Sequence, residues 1–108
     1  MVGKIKVIIT PTVIDFLDDL VRILFRKEYF GFIESAEDYV SKIYDGIDEN
    51  IRLTSHKTTP SKLKYLGSNY IFYKLNQRTT WFIFFKKQNN NYLITGILNN
   101  HCEEAKNI

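Results

Sequence analysis

The chain has 108 residues, 44% of them hydrophobic and 25% charged, which suits one globular domain, residues 1–108, that buries about two-thirds of its unfolded surface. Its single cysteine, Cys102, excludes an internal disulfide and a multi-cysteine zinc site, and suits a reducing compartment. The net charge of +3 is ordinary for a protein of this size and by itself points to no partner class.

The opening MVGKIKVIITPT holds only a short apolar run before Pro11. It resembles neither a secretory signal nor a transmembrane helix, which needs about 20 apolar residues, so a cytoplasmic location without a membrane partner is expected. KIKVIIT, residues 4–10, is β-branched and apolar and reads as a strand that stops at Pro11. Thr12 followed by Asp15 resembles a helix cap, and Val13, Phe16, Leu17, Leu20, Val21, Leu24 and Phe25 recur at helical spacing over about 12–28. Ser35 and Asp38 repeat that spacing before a second stripe of Ala36, Tyr39, Val40, Ile43, Tyr44, Ile47 and Ile51, which predicts a helix over about 35–53. A short connection at Gly31 lets the two helices form an antiparallel hairpin.

TSHKTTPSKLKYLGSN, residues 54–69, is polar, contains Pro60 and Gly67, and reads as a loop with one irregular turn. YIFYKLN, TTWFIFFKK and YLITGIL then read as three strands joined by NQRT and QNNN, and the polar stretch from about Asn99 as a tail. The expected class is α+β, in the order β-α-α-β-β-β, with the helical hairpin on one face of a small, mainly antiparallel four-stranded sheet. Alternation groups Tyr70, Phe72 and Lys74 on one face of the second strand and Ile71, Tyr73 and Leu75 on the other, the latter suited to burial beneath the helices. On the third strand both Trp81, Ile83, Phe85 and Phe82, Phe84 are apolar, so the pattern leaves open which set faces the helices.

Charge is distributed unevenly. Residues 1–55 carry seven Lys/Arg against ten Asp/Glu, residues 56–108 carry eight against two, and no carboxylate occurs from His56 to Cys102. Such a segment suits a polyanion, an acidic protein or a plain solvated face. No phosphate-binding glycine loop, dinucleotide fingerprint, nucleophile elbow or metal-binding histidine pair is present, and no cofactor is expected. His56 and His101 lie 45 positions apart and meet only if the fold brings them together. Exposed aromatics beside Lys62, Lys64, Lys74, Lys86, Lys87 and Tyr70 are suited to stacking bases and holding phosphates, or equally to a protein partner.

The element order and the segments KIKVIITPTVIDFLDDL and YIFYKLNQRTTWFIFFKKQNNNYLITGILNNH resemble the RelE/ParE superfamily of toxins from toxin–antitoxin pairs, and the resemblance covers most of the chain. It implies a growth-arresting toxin held inactive by a cognate antitoxin, whose RelE-like branch cleaves messenger RNA on the ribosome and whose ParE-like branch poisons DNA gyrase. Lys62 and Lys64 fall in the basic segment that precedes the second strand in RelE-like members. His101 lies just past the last strand, where some members carry a catalytic histidine or tyrosine. Tyr70 departs from the pattern, since RNA-cleaving members usually have arginine there, which places the cation's role on Lys64, Lys74 or Arg78. The expectation is therefore messenger RNA cleavage with His101, Lys64 and Arg78 as catalytic candidates. A ParE-like inhibitor that acts by binding, or a member that only binds its antitoxin, is the alternative.

Overall fold

The computed structural model describes residues 6–26, 33–53, 56–75 and 79–108, with side chains described except at 24–26, 33–35 and 53. Strand β1 (Lys6–Ile9) runs directly into helix α1 (Pro11–Arg26), and helix α2 (Ile33–Leu53) returns to the sheet. Strands β2 (Lys57–Thr58), β3 (Asn69–Lys74), β4 (Thr80–Gln88) and β5 (Asn91–Asn99) follow. A 3-10 helix (Ser61–Leu66) lies between β2 and β3, and a second (Glu103–Asn107) closes the chain. The class is α+β, as the pattern implies.

The sheet has five strands rather than four, in the order β1-β5-β4-β3-β2. β1 is parallel to β5 and the other three pairings are antiparallel. The additional strand is β2, whose Lys57 and Thr58 pair with Tyr70 and Asn69. The helix start also differs from expectation. Thr10, not Thr12, precedes the first turn: its carbonyl accepts from the N–H groups of Val13 and Ile14 at 3.0 Å. Pro11 then occupies the first helical position, where its missing N–H costs nothing. Thr10 also ties the helix to the sheet by donating its hydroxyl to the Ile94 carbonyl at 2.8 Å.

Both helices lie on one sheet face. Val13 and Leu17 of α1 and Val40, Ile43, Ile47 and Ile51 of α2 form a core with Ile71, Trp81, Ile83, Phe85, Tyr92, Ile94 and Ile97. The ambiguity of β4 is thereby settled: Trp81, Ile83 and Phe85 face the helices, and Phe82 and Phe84 the opposite side. Phe16, expected in the core stripe, sits at its margin, 37% exposed, with its ring edge-on to Trp81 at 6.5 Å. Leu24 and Phe25 fall outside the described side chains.

Two contacts fix α2 along the sheet. The Tyr73 hydroxyl donates to the Ile43 carbonyl at 3.1 Å at one end, and the Ile51 carbonyl meets Nε2 of His56 at 2.9 Å toward the other. The His56 ring lies edge-on to Phe85 and Tyr92, at 4.8 and 5.3 Å. α2 has 21 residues, about 31 Å at 1.5 Å per residue. The molecule is elongated, 47 × 32 × 26 Å.

The segment read as a loop covers part of the second sheet face. Leu63 is 1% exposed and packs with Tyr70, Phe84 and Leu98, with Leu66, Phe82 and Cys102 at the margin. A bulge in β5 sets this cover: Phe84 pairs with Gly96 and Phe85 with Ile94, so Thr95 is the extra residue. Thr95 donates its hydroxyl to the Leu66 carbonyl. Gly96 and Gly67 permit the close approach, since a Cβ on Gly96 would lie 2.9 Å from Leu66 and one on Gly67 2.7 Å from the Phe85 nitrogen. Among the described residues no helix is long and apolar enough to cross a membrane.

Candidate functional site

The strands place the basic residues at two ends of the sheet. One end gathers the start of β3 and the end of β4. There Lys64, exposed on the 3-10 helix, donates to the Ser68 carbonyl at 3.5 Å. The Ser68 hydroxyl in turn donates to the Phe85 carbonyl at 3.4 Å, next to Lys86 in the chain. Lys87 holds its ammonium 5.6 Å from the centre of the Tyr92 ring. Lys62 is exposed on the same 3-10 helix. Lys64 and Lys86 therefore share a basic rim of the second face, whereas Lys87, in phase with Trp81, Ile83 and Phe85, lies on the helix side against Tyr92.

The opposite end holds Lys74, the start of β4 and the segment after β5. Lys74 pairs with Thr80, whose N–H donates to the side-chain oxygen of Asn100 at 3.0 Å. His101 is exposed, its N–H donates to Oδ1 of Asn99 at 2.9 Å, and its Nε2 lies 3.5 Å from the Thr79 hydroxyl. These bonds form because β5 ends at Asn99 and the chain turns back across the start of β4. Arg78 lies outside the described residues.

His101 also lines a shallow, open depression of about 510 Å³ with Phe82, Asn100, Cys102, Glu103, Ala105 and Lys106. Among the described residues that line it Glu103 is the one carboxylate, and Lys106 approaches it at 3.9 Å. The Cys102 thiol is half-buried, 3.5 Å from the Asn99 side-chain oxygen. Among the described residues no three His, Cys, Asp or Glu side chains gather where a metal ion would bind.

The sequence-predicted residues are thus partly brought together. Lys62, Lys64, Lys86 and Lys87 share one end; Lys74 and His101 share the other. The levels of Ser68 and His101 are set by their neighbours' partners Phe85 and Trp81, four residues apart on β4, or about 13 Å. Lys64 is bound at the former and His101 at the latter, so the two do not meet. Tyr70 is 8% exposed, its ring set against Phe84 at 5.6 Å and Phe82 at 6.3 Å. It packs the second face and presents no open ring.

Sequence reasoning passed over two residues of this face. Phe72 is 40% exposed, with its ring 6.2 Å from that of Phe82. The ammonium of Lys57 stands 5.7 Å from the centre of the Phe72 ring. The signal for Phe72 was its alternation with Tyr70; the signal for Lys57 was absent, because the two-residue strand that aims it is too short to show a period. None of the ion pairs among the described residues includes Lys57, Lys62, Lys64, Lys74, Lys86 or Lys87.

Two tyrosines have displaced proton affinities. Burial, and secondarily the nearby Tyr39, pushes the Tyr73 phenol well above its ordinary value, and burial, with Asp18, raises Tyr44. Both belong to the helix-side core, away from the basic face. No protein-family model, curated protein or solved structure matches this chain.

Proposed function

We propose that the chain is a toxin of the RelE/ParE type, acting in the cytoplasm, held inactive by a cognate antitoxin and arresting growth by ribosome-dependent cleavage of messenger RNA. The observation that carries this reading is the carboxylate-free run from His56 to Cys102, folded so that Lys57, Lys64, Lys74 and Lys86, none of them in an ion pair among the described residues, and His101 border one sheet face. The element order supports it: a strand, two helices and a closing antiparallel set with a histidine just past the last strand. Cleavage through the 2′-hydroxyl requires a base, a cation for the charged phosphorane and a proton donor for the leaving oxygen. His101, exposed beside an open depression, is suited to the proton transfers because an imidazole can both accept and donate a proton. Lys74 shares its end of the sheet, while Lys64 and the basic rim are placed to bind the chain of phosphates.

Replacing His101 and Lys64 together by alanine is expected to abolish growth arrest on induced expression, with the circular dichroism spectrum unchanged. Undiminished toxicity of that double variant would reject the site assignment.

The separation of Lys64 from His101, together with the burial of Tyr70 where an arginine would be needed, favours a second reading. In it the toxin is a ParE-like inhibitor of DNA gyrase that acts by binding, or a member that retains only antitoxin binding. A supercoiling assay separates the readings, because inhibition without new messenger RNA ends belongs to the gyrase mode.

A further inference from the structure

We propose that Phe72, with Lys57 beside it, is a platform on which one unpaired base of a single-stranded RNA stacks. This deepens the RNA-handling reading of the same face and rests on it. The face is only partly covered. The 3-10 helix Ser61–Leu66 takes up Tyr70, Phe84 and Leu98 through Leu63, and the closing 3-10 helix adjoins it. What stays open is the strip from β2 across β3 to the start of β4, and its largest exposed apolar group is the Phe72 ring.

Three features give that strip the chemistry of a nucleobase site. Phe72 and Phe82 are neighbouring rings on adjacent strands, tilted by 44°, and Phe82 continues into the depression that His101 lines. Cations attend the platform: the Lys57 ammonium lies over the Phe72 ring, 5.7 Å from its centre, and Lys74 stands two residues farther along the same face of β3, about 7 Å by strand rise. No carboxylate occurs from residue 56 to 102, no ion pair among the described residues includes Lys57 or Lys74, and Glu103, at the far wall, is approached by Lys106. A partly exposed ring with one ammonium group over it and another farther along the strand matches the stacking-plus-phosphate mode of single-strand binding. An acidic peptide would share the charge complementarity. It would need a pocket for its apolar side chains, whereas the depression here is shallow and open.

The test is fluorescence anisotropy of the full chain with a labelled single-stranded RNA octamer, the same octamer carrying abasic residues, and a duplex of the same sequence. Phe72→Ala is expected to weaken octamer binding about tenfold, inside the range set by base–aromatic stacking, and to leave the abasic octamer unaffected. Phe72→Trp retains binding, and Lys57→Gln lowers the salt slope by about one. Because Phe72 is already 40% exposed, both ring variants are expected to keep the wild-type circular dichroism spectrum. Equal binding by wild type and Phe72→Ala, or an equal loss on the abasic octamer, would overturn the platform. So would an acidic, aromatic octapeptide that binds more tightly than the RNA through the same ring. The assay needs neither ribosome nor toxicity. Stacking that depends on Phe72 in a chain that fails to slow growth supports the platform and contradicts the toxin reading; growth arrest with Phe72-independent RNA binding contradicts the platform alone.

Discussion

Single residues decide how α2 sits on the sheet. Gly46 faces the Tyr73 ring so closely that a Cβ there would lie 2.6 Å from it, and the ring is held in place by its hydrogen bond to the Ile43 carbonyl. Gly46→Ala is therefore expected to destabilise the fold by about 1–3 kcal/mol despite alanine's better helix propensity, read as a lower urea midpoint at unchanged m. Tyr73 also sets an alkaline limit. Its folded-state pKa is raised, so the folded chain keeps a proton that the unfolded chain releases near pH 10. Its contribution is full below that pH and is lost as pH rises toward the folded-state value. Alkaline unfolding followed by circular dichroism should thus begin above about pH 10 and be less steep in Tyr73→Phe. Little of this was legible in the sequence: the helical period marks Gly46 only as a small residue, and Tyr73 only as facing the helices. Likewise Tyr70 and Phe72 share one alternation phase, and only the Leu63 side chain, brought over by a distant segment, buries the first and leaves the second open.

Elements with a sustained period were legible, and those without one were not. The spacing of Val13 and Leu17, and of Ala36, Val40, Ile43, Ile47 and Ile51, matches the buried faces of both helices. The three long strands follow their β-branched and aromatic runs. β2 was hidden because two ladder pairs leave no pattern, and the 3-10 helix because it lies in a polar stretch whose only apolar signal is Leu63 and Leu66, three apart, the 3-10 spacing. The parallel pairing of β1 with β5 joins residues some 85 positions apart, which local pattern does not encode. The covering segment is held by close approach rather than by propensity. Leu63→Ala is expected to cost about 2–5 kcal/mol. Gly67→Ala, whose Cβ would meet the Phe85 backbone, should lift the segment and raise amide hydrogen exchange in β4 and β5.

At the scale of the molecule, the fold separates the charge that the sequence divides by halves. The acidic half makes β1 and the helices on one face; the basic half makes the other four strands and the cover of the second face. An RNA strand approaching the second face meets lysines at both ends and an aromatic strip between them, while the helices turn a largely acidic surface away from it. Association with single-stranded RNA should accordingly weaken steeply with salt. The basic character of this half was legible from its run without carboxylates; the division into two ends was not, because it depends on strand register. The most direct measurement is induced expression of the chain, with and without the neighbouring reading frame, followed by mapping of messenger RNA ends. The account predicts growth arrest with new ends inside translated reading frames, relieved by the neighbouring frame and absent from the His101→Ala, Lys64→Ala double variant. Growth that continues unchanged, or arrest with inhibited supercoiling and no new ends, would contradict it.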